Sequence, residues 1–218
     1  MNFFIVANAA QQRELIRGNK MDNVPDVSFF EQMDQIDDWS KMDALMYLLD
    51  DLKDVIDDLK DVRLQKVQQV PVIINSVTDT LKSLQVPSNF SRINGWPGFL
   101  ERTLCETASG DSVMAGEFFT TLGWRVVFVK DEPGLVSARV ISMIINEAYF
   151  ALGENISSKE EINLAMKLGT NYPMGPFEWE EKIGTENICQ LLQKLSTTDD
   201  RYTLAPELLT KYRKILQA

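Results

Sequence analysis

Acid–base chemistry in this chain would have to be done without histidine, because none of the 218 residues is a histidine. A general base needs an ionisable group whose pKa lies near the working pH, and a carboxyl group meets that need only when burial raises its pKa. The two cysteines, Cys105 and Cys189, form no pair at metal-ligand spacing. We therefore expect no metal site and predict reduced, buried thiols.

The overall charge excludes two classes of partner. The formal net charge is −10 and the isoelectric point about 4.6, so phosphate backbones and anionic lipid surfaces should repel the chain. No segment approaches the roughly 20 apolar residues that span a bilayer. The opening MNFFIVANAA has no basic start and too short an apolar run for a signal peptide. We expect a cytoplasmic protein.

The first part of the chain alternates short apolar runs with helical stretches. The runs are predicted strands, because they are bounded by turn formers: residues 2–8, 26–30, 43–49, 70–76, 91–96 and 125–131. The stretches between them are predicted helices: 9–18, 50–69, 77–84 and 111–123. Continuous apolar runs favour a parallel sheet covered on both faces, so residues 1–130 are predicted to form a doubly wound α/β layer.

An internal repeat, DDLKDVI followed by DDLKDVR, occupies residues 50–63. Leu52, Val55, Leu59 and Val62 fall on one face of a helix, with the aspartates outside it. We interpret this helix as amphipathic and solvated on its acidic face, because charge runs usually mark solvated surfaces. An acidic docking surface or a cation site is the alternative. A calcium loop is excluded, because the turn glycine is missing.

Residues 131–218 read as helices throughout. The segment 133–155 is apolar nearly all round, with Pro133 placed to start a long helix, and 157–169 opens with a serine cap. On the long helix Arg139, Ser142 and Asn146 share one face and need polar partners. A domain boundary is predicted near Lys130.

Four motifs follow one another in this second part: VKDEPG (129–134), NEA (146–148), AMKLG (165–169) and YPMGPFE (172–178). Their order and spacing resemble the C-terminal part of 3-hydroxyacyl-CoA dehydrogenases, which oxidise 3-hydroxyacyl-CoA thioesters with NAD in fatty-acid degradation. A weaker resemblance extends upstream to residue 42. It implies a Rossmann-like sheet, here shortened, followed by the all-α C-terminal domain of that family, through which family members commonly form homodimers.

The resemblance implies a catalytic histidine oriented by a glutamate. The histidine position falls on Pro97, which has no titratable group, whereas the glutamate position falls on Glu106. A family asparagine falls on Ala138. Glu106 is thus the one retained catalytic position.

The resemblance also implies a binding pocket for an acyl-CoA. A family serine falls on Asp79, which carries a negative charge where a neutral hydroxyl is expected. The candidate pocket residues are Asp79, Thr80, Arg139, Asn146, Tyr172, Met174 and Phe177. Hydrogen bonding across an interdomain or dimer contact is the alternative role for the polar face of the long helix.

The cofactor site lacks its glycines. A dinucleotide-binding turn needs glycine so that the backbone can approach the pyrophosphate at a helix N-terminus, but this turn reads Ala9, Ala10, Gln11, Gln12. Glu31 lies at about the right distance to meet a ribose, but we favour its interpretation as a loop acid, because a lone motif element has a high false-positive rate. We expect no cofactor, or NAD if the family activity is retained.

Three hypotheses follow. The first is a non-catalytic 3-hydroxyacyl-CoA dehydrogenase-like protein of acyl-CoA metabolism, acting as a binding protein or dimeric scaffold. The second is an active NAD-dependent dehydrogenase with altered machinery, in which Glu106 is the base. The third is a purely structural or regulatory interaction protein. Binding of acyl-CoA without NAD supports the first hypothesis, and binding of both ligands supports the second. Binding of neither supports the third.

Overall fold

The computed structural model describes residues 2–19, 26–50, 52–60 and 66–217. The chain divides into two compact units after Leu135, whereas the boundary predicted from sequence lies near Lys130. No helix within the described residues is both long and apolar enough to cross a membrane.

The first unit contains one sheet, and its strands confirm all six predicted ones. The described strands are β1 (Phe3–Val6), β2 (Val27–Phe30), β3 (Ala44–Tyr47), β4 (Val72–Asn75), β5 (Phe90–Ile93), β6 (Leu104–Ser109) and β7 (Arg125–Phe128). Their order is β2-β1-β3-β4-β5-β6-β7, and all neighbours are parallel except the antiparallel pair β5–β6. The strand β6 was not predicted, because only Thr107 and Ala108 of its six residues are buried and it has no continuous apolar run.

The strand order makes this a shortened doubly wound sheet. The classic order 3-2-1-4-5-6 places two strands on one side of the first strand. Here β2 alone lies on that side within the described residues, and β3 lies on the other side of β1. The strand order therefore reverses at β1, between β2 and β3.

Helices cover both faces of the sheet. They are α1 (Ala9–Asn19), α2 (Leu52–Lys60), α3 (Leu81–Leu84) and α4 (Ser112–Thr121). Alternate residues of β1 enter opposite cores: Phe3 packs edge-on against Phe118 of α4, and Phe4 packs against Phe30. Burial on both sides explains why β1 is apolar at every position.

Two of the predicted helices have different lengths. The predicted helix 77–84 is wrong before Leu81, because the Thr80 side chain accepts the Ser83 N–H and so starts the helix there. For the predicted helix 50–69, residues 52–60 are confirmed as amphipathic, with Leu52, Ile56 and Leu59 buried. Residues 61–65, with Val62, lie outside the described part, and 67–69 form a 3₁₀ turn.

The second unit is entirely helical. It contains α5 (Ser137–Gly153), α6 (Lys159–Thr170), α7 (Pro176–Ile183), α8 (Thr185–Ser196) and α9 (Pro206–Ile215). The prediction that Pro133 starts the long helix is wrong. Gly134 and Leu135 adopt positive φ angles of 83° and 48°, which no right-handed helix accommodates, so α5 begins only at Ser137.

Arg92 on β5 holds the carboxyl edge of the sheet together. Its side chain is fully buried, and it pairs with Asp131 while donating to the carbonyls of Ser76, at 3.0 Å, and Glu132, at 2.6 Å. Burial lowers the pKa of Arg92, whereas the negative charges of Asp131 and Glu106 oppose that shift. The Arg92 side chain thus joins β5 to the turn after β4 and to the segment that follows β7.

We expect Arg92→Met to lower the free energy of unfolding by about 3–5 kcal/mol, because it leaves the Asp131 carboxylate without its buried counter-charge. Urea titration followed by tryptophan fluorescence would measure this. Arg125→Met, at an exposed position of β7, is the matched control and should change stability by less than about 0.5 kcal/mol. Equal losses in the two variants would contradict the role given to Arg92.

Candidate functional site

The turn between β1 and α1 is closed by its own side chains. Asn8 Oδ1 accepts the N–H groups of Ala10, at 2.9 Å, and Gln11, at 3.0 Å. In return, the Asn8 N–H donates to Gln11 Oε1 at 3.0 Å. This is a capping box, and it occupies the backbone donors that a helix N-terminus would otherwise present to an anion. The spacing of Asn8 and Gln11, N-x-x-Q, is visible in the sequence and is typical of such a capping box.

Gln11 also extends into the point where the strand order reverses. Its Nε2 donates to the carbonyl of Leu48, just after β3, at 2.6 Å, and the side chain is buried. Asn75, at the end of β4, donates to the same carbonyl at 3.2 Å. In doubly wound sheets a dinucleotide binds in the crevice at this position. We call Asn8, Gln11 and Asn75 the crevice cluster.

The loop after β5 folds against the same region. The Gly95 N–H donates to Asn75 Oδ1 at 3.0 Å, and a Cβ on Gly95 would lie 2.6 Å from Asn75 Cγ, so only glycine fits there. The Gly98 N–H donates to both carboxylate oxygens of Glu14 on α1, at 2.8 and 2.9 Å. Pro97, at the position of the expected histidine, is exposed between these two anchored glycines.

Glu106 lies half-buried on β6, opposite Val127 of β7. Its carboxylate favours the charged form of Arg92, which Asp131 favours more strongly. The assignment of Glu106 as a catalytic base stays a prediction.

The remaining candidates of the first unit have local partners. The Asp79 carboxylate forms a 3.1 Å ion pair with Lys53 of α2, and Thr80 caps α3. Glu31 is exposed directly after β2, and its N–H donates to Gln35 Oε1 at 2.8 Å.

On α5, two residues of the predicted polar face, Arg139 and Asn146, have partners inside the second unit. Asn146 is buried, donates to the Thr203 carbonyl and accepts the Ala205 N–H, both at 2.9 Å, which fixes the chain before α9. The Arg139 guanidinium lies 5.9 Å from the centre of the Tyr202 ring. Ser142 Oγ is buried without a hydrogen-bond partner in the part of the chain that the structure describes.

The YPMGPFE motif forms the tight connection between α6 and α7. A Cβ on Gly175 would lie 2.3 Å from Asn163 Oδ1, which accepts the Phe177 N–H at 2.9 Å. The Phe177 ring packs edge-on against Tyr149 at 5.1 Å. Tyr172 and Met174 are half-buried. The structure thus brings these residues together as a packed turn.

A buried polar cluster around Glu180 was missed in the sequence. The Glu180 carboxylate is only 3% exposed and accepts from Tyr149 Oη at 2.9 Å, from Lys211 Nζ at 2.6 Å and from the Thr185 hydroxyl. Burial alone would raise the pKa of Glu180, but these hydrogen bonds outweigh it and hold the pKa below its usual range. The burial of Glu180 could have been predicted from helical spacing, because Glu180 shares the buried face of α7 with Pro176 and Ile183.

Neither cysteine provides a reactive thiolate. Cys105 and Cys189 are free thiols, and burial raises the pKa of Cys189 to about 12, so it carries no thiolate at neutral pH. Within the described residues no three acidic, cysteine or histidine side chains cluster as metal ligands would.

Comparison with known proteins agrees with this architecture. Residues 134–215 match the family model described as 3-hydroxyacyl-CoA dehydrogenase, C-terminal domain. The chain is 36% identical over 96 residues to 3-hydroxyadipyl-CoA dehydrogenase of Escherichia coli K12, covering 44% of this chain and 20% of that protein. It is 38% identical over 98 residues to 3-hydroxybutyryl-CoA dehydrogenase of Bradyrhizobium diazoefficiens, covering 44% and 33%. The matches thus span a third or less of these relatives.

The fold is also similar to that of a solved structure. The (S)-3-hydroxybutyryl-CoA dehydrogenase PaaH1 of Ralstonia eutropha matches with a TM-score of 0.69 and 24% identity, over 100% of this chain and 85% of that chain. This likeness is one of fold. The predicted fold class, a Rossmann-like sheet followed by a helical domain, is confirmed.

We expect Glu180→Gln to lower the free energy of unfolding at pH 7 by about 1–3 kcal/mol, because it weakens three buried hydrogen bonds. The folded-state pKa of Glu180 is lowered, so its contribution is present above the ordinary carboxyl pKa of about 4.3 and is lost as the pH falls through the lower folded value. Unfolding measured from pH 7 to pH 2 should therefore show the two proteins converging in acid. Glu181→Gln, exposed on the same helix, is the control, and a constant difference at all pH values would contradict the assignment.

Proposed function

We propose that this chain is a member of the 3-hydroxyacyl-CoA dehydrogenase family without NAD-dependent activity, because residues 134–215 match the model of that family's C-terminal domain. It acts in the cytoplasm as an acyl-CoA-binding protein or homodimeric scaffold. The crevice cluster is the observation that carries this proposal. In it Asn8 and Gln11 take the place that a pyrophosphate would need, and the site does not fit NAD.

The electrostatics at this position support the same conclusion. A phosphate bound there would have to displace Asn8 Oδ1 from two N–H groups. Glycine-rich turns bind phosphate because their N–H groups are unfilled and their backbone is accessible. At this turn Asn8 Oδ1 already fills two of the N–H groups.

The loss of the general base supports it independently. Abstraction of a hydroxyl proton requires an ionisable group within hydrogen-bond reach, and Pro97 offers none at the expected position. Gly95 and Gly98 on either side are each held by a side-chain acceptor, so the loop is fixed in this arrangement. Glu106 is the remaining ionisable candidate of the family pattern.

The proposed binding function needs a ligand, and the resemblance to 3-hydroxyacyl-CoA dehydrogenases suggests an acyl-CoA. Its proposed pocket residues in the helical unit are Arg139, Asn146, Tyr172, Met174 and Phe177. Asn146 already uses both ends of its amide within the helical unit, so we give it the role of shaping the pocket wall.

We expect calorimetric titration with NADH to give no heat, and millimolar NADH to leave the melting temperature unchanged, because a ligand stabilises a protein only when it binds the folded state. Titration with acetoacetyl-CoA should give binding. The double variant with Asn8→Gly and Gln11→Ala removes the occupying side chains and should bind NADH more tightly than the natural sequence. Micromolar NADH binding, together with acetoacetyl-CoA reduction that is lost in Glu106→Gln, would overturn the proposal and establish an active dehydrogenase.

The homodimer is proposed to form through the helical unit, where α6 presents an apolar face to solvent. Leu164 and Leu168, one turn apart, are 54% and 78% exposed. Apolar residues grouped in this way usually mark an interaction surface.

We expect Leu168→Lys to shift the sedimentation coefficient from that of a dimer to that of a monomer, because a charge would be buried in the interface. Val113→Lys, at a 72% exposed position of α4, is the matched control and should leave the dimer intact. A natural protein that sediments as a monomer at micromolar concentration would refute the dimer.

A further inference from the structure

The sheet ends at β2, a short apolar strand with an open edge. Within the described residues β2 pairs with β1 alone. Phe29 packs on the core cluster of one face and Phe30 on that of the other, yet both remain partly exposed. The position beyond β2 is that of the outer strand in the classic doubly wound order.

The backbone pairing defines which groups point outward. The Phe3 N–H donates to the Asp26 carbonyl at 3.0 Å, and the Ala7 N–H donates to the Phe30 carbonyl at 2.9 Å. Residues of even number therefore direct their backbone groups toward β1. Because hydrogen-bonding direction alternates along a strand, Val27 and Phe29 direct theirs away from the sheet.

The charges around this edge are acidic. Asp26 directly precedes the strand and Glu31 directly follows it, and both are exposed, as are Asp34 and Asp37 in the following loop. Two copies of β2 paired antiparallel would place Asp26 of one copy near Glu31 of the other. Like charges facing each other across strands are destabilising, so this edge is protected against self-pairing.

We propose that β2 is a docking edge for an extended segment of another protein, which adds a parallel strand beside it. The segment carries Lys or Arg at both ends of four β-forming residues. Its backbone pairs with Val27 and Phe29, its side chains cover Phe29 and Phe30, and its two cations meet Asp26 and Glu31. The basic residues are five positions apart, as are Asp26 and Glu31, so each cation lies beside its partner acid when the two strands are in register.

The blocked peptide Arg-Val-Thr-Val-Thr-Arg is a direct probe. Added to ¹⁵N-labelled protein, it should shift the amide signals of Val27 and Phe29 and slow their hydrogen exchange. The same peptide with glutamate in place of both arginines, or with N-methyl groups on alternate residues, should bind about tenfold more weakly or worse, because it loses charge complementarity or the backbone hydrogen bonds.

The double variant with Asp26→Lys and Glu31→Lys should reverse the preference and favour the glutamate peptide. The same charge change at Asp54 and Asp57, exposed on α2, is the control and should leave the preference for the arginine peptide in place. No shift at millimolar peptide, equal binding of the N-methylated peptide, or a reversal caused by the α2 variant would overturn the proposal.

Discussion

A single buried cation organises the first unit. Arg92 projects from β5, and its guanidinium contacts Asp131 and the carbonyls of Ser76 and Glu132. Asp131 in turn accepts the N–H groups of Leu81 and Lys82, so that it also starts α3. A buried guanidinium is tolerated only when its donors are satisfied, and here the partners come from two segments, one after β4 and one after β7. The ends of β4 and β5 and the segment after β7 are therefore held as one body.

The crevice cluster follows the same rule with neutral groups. A crevice at the reversal of strand order has exposed backbone donors and acceptors, and these must be paired with a ligand, with water or with the protein itself. In this chain Asn8, Gln11 and Asn75 supply the partners. The amide side chains thus pair the backbone groups of this crevice within the protein itself.

The sequence predicted well those features that repeat along the chain. Strands such as β1 were found because burial on both faces leaves a continuous apolar run, and α6 was found through its serine cap. Prediction from the sequence failed where tertiary contacts determine the local structure. The start of α5 depends on the backbone at Gly134 and Leu135, and β6 has too few buried residues to show a pattern. For the candidate site, the sequence itself shows that the expected histidine and glycines are missing. The capping by Asn8 and the burial of Glu180 became apparent only in the three-dimensional structure.

The turn around Gly175 bears on how relatives of this chain are recognised. Its residues are constrained by the close approach of Asn163 and by the ring contact between Tyr149 and Phe177. Those constraints belong to the packing of helices and involve no proton or hydride transfer. Selection for a folded helical unit alone would suffice to maintain such a turn. A family label assigned through it carries information about ancestry and architecture, and says nothing about turnover.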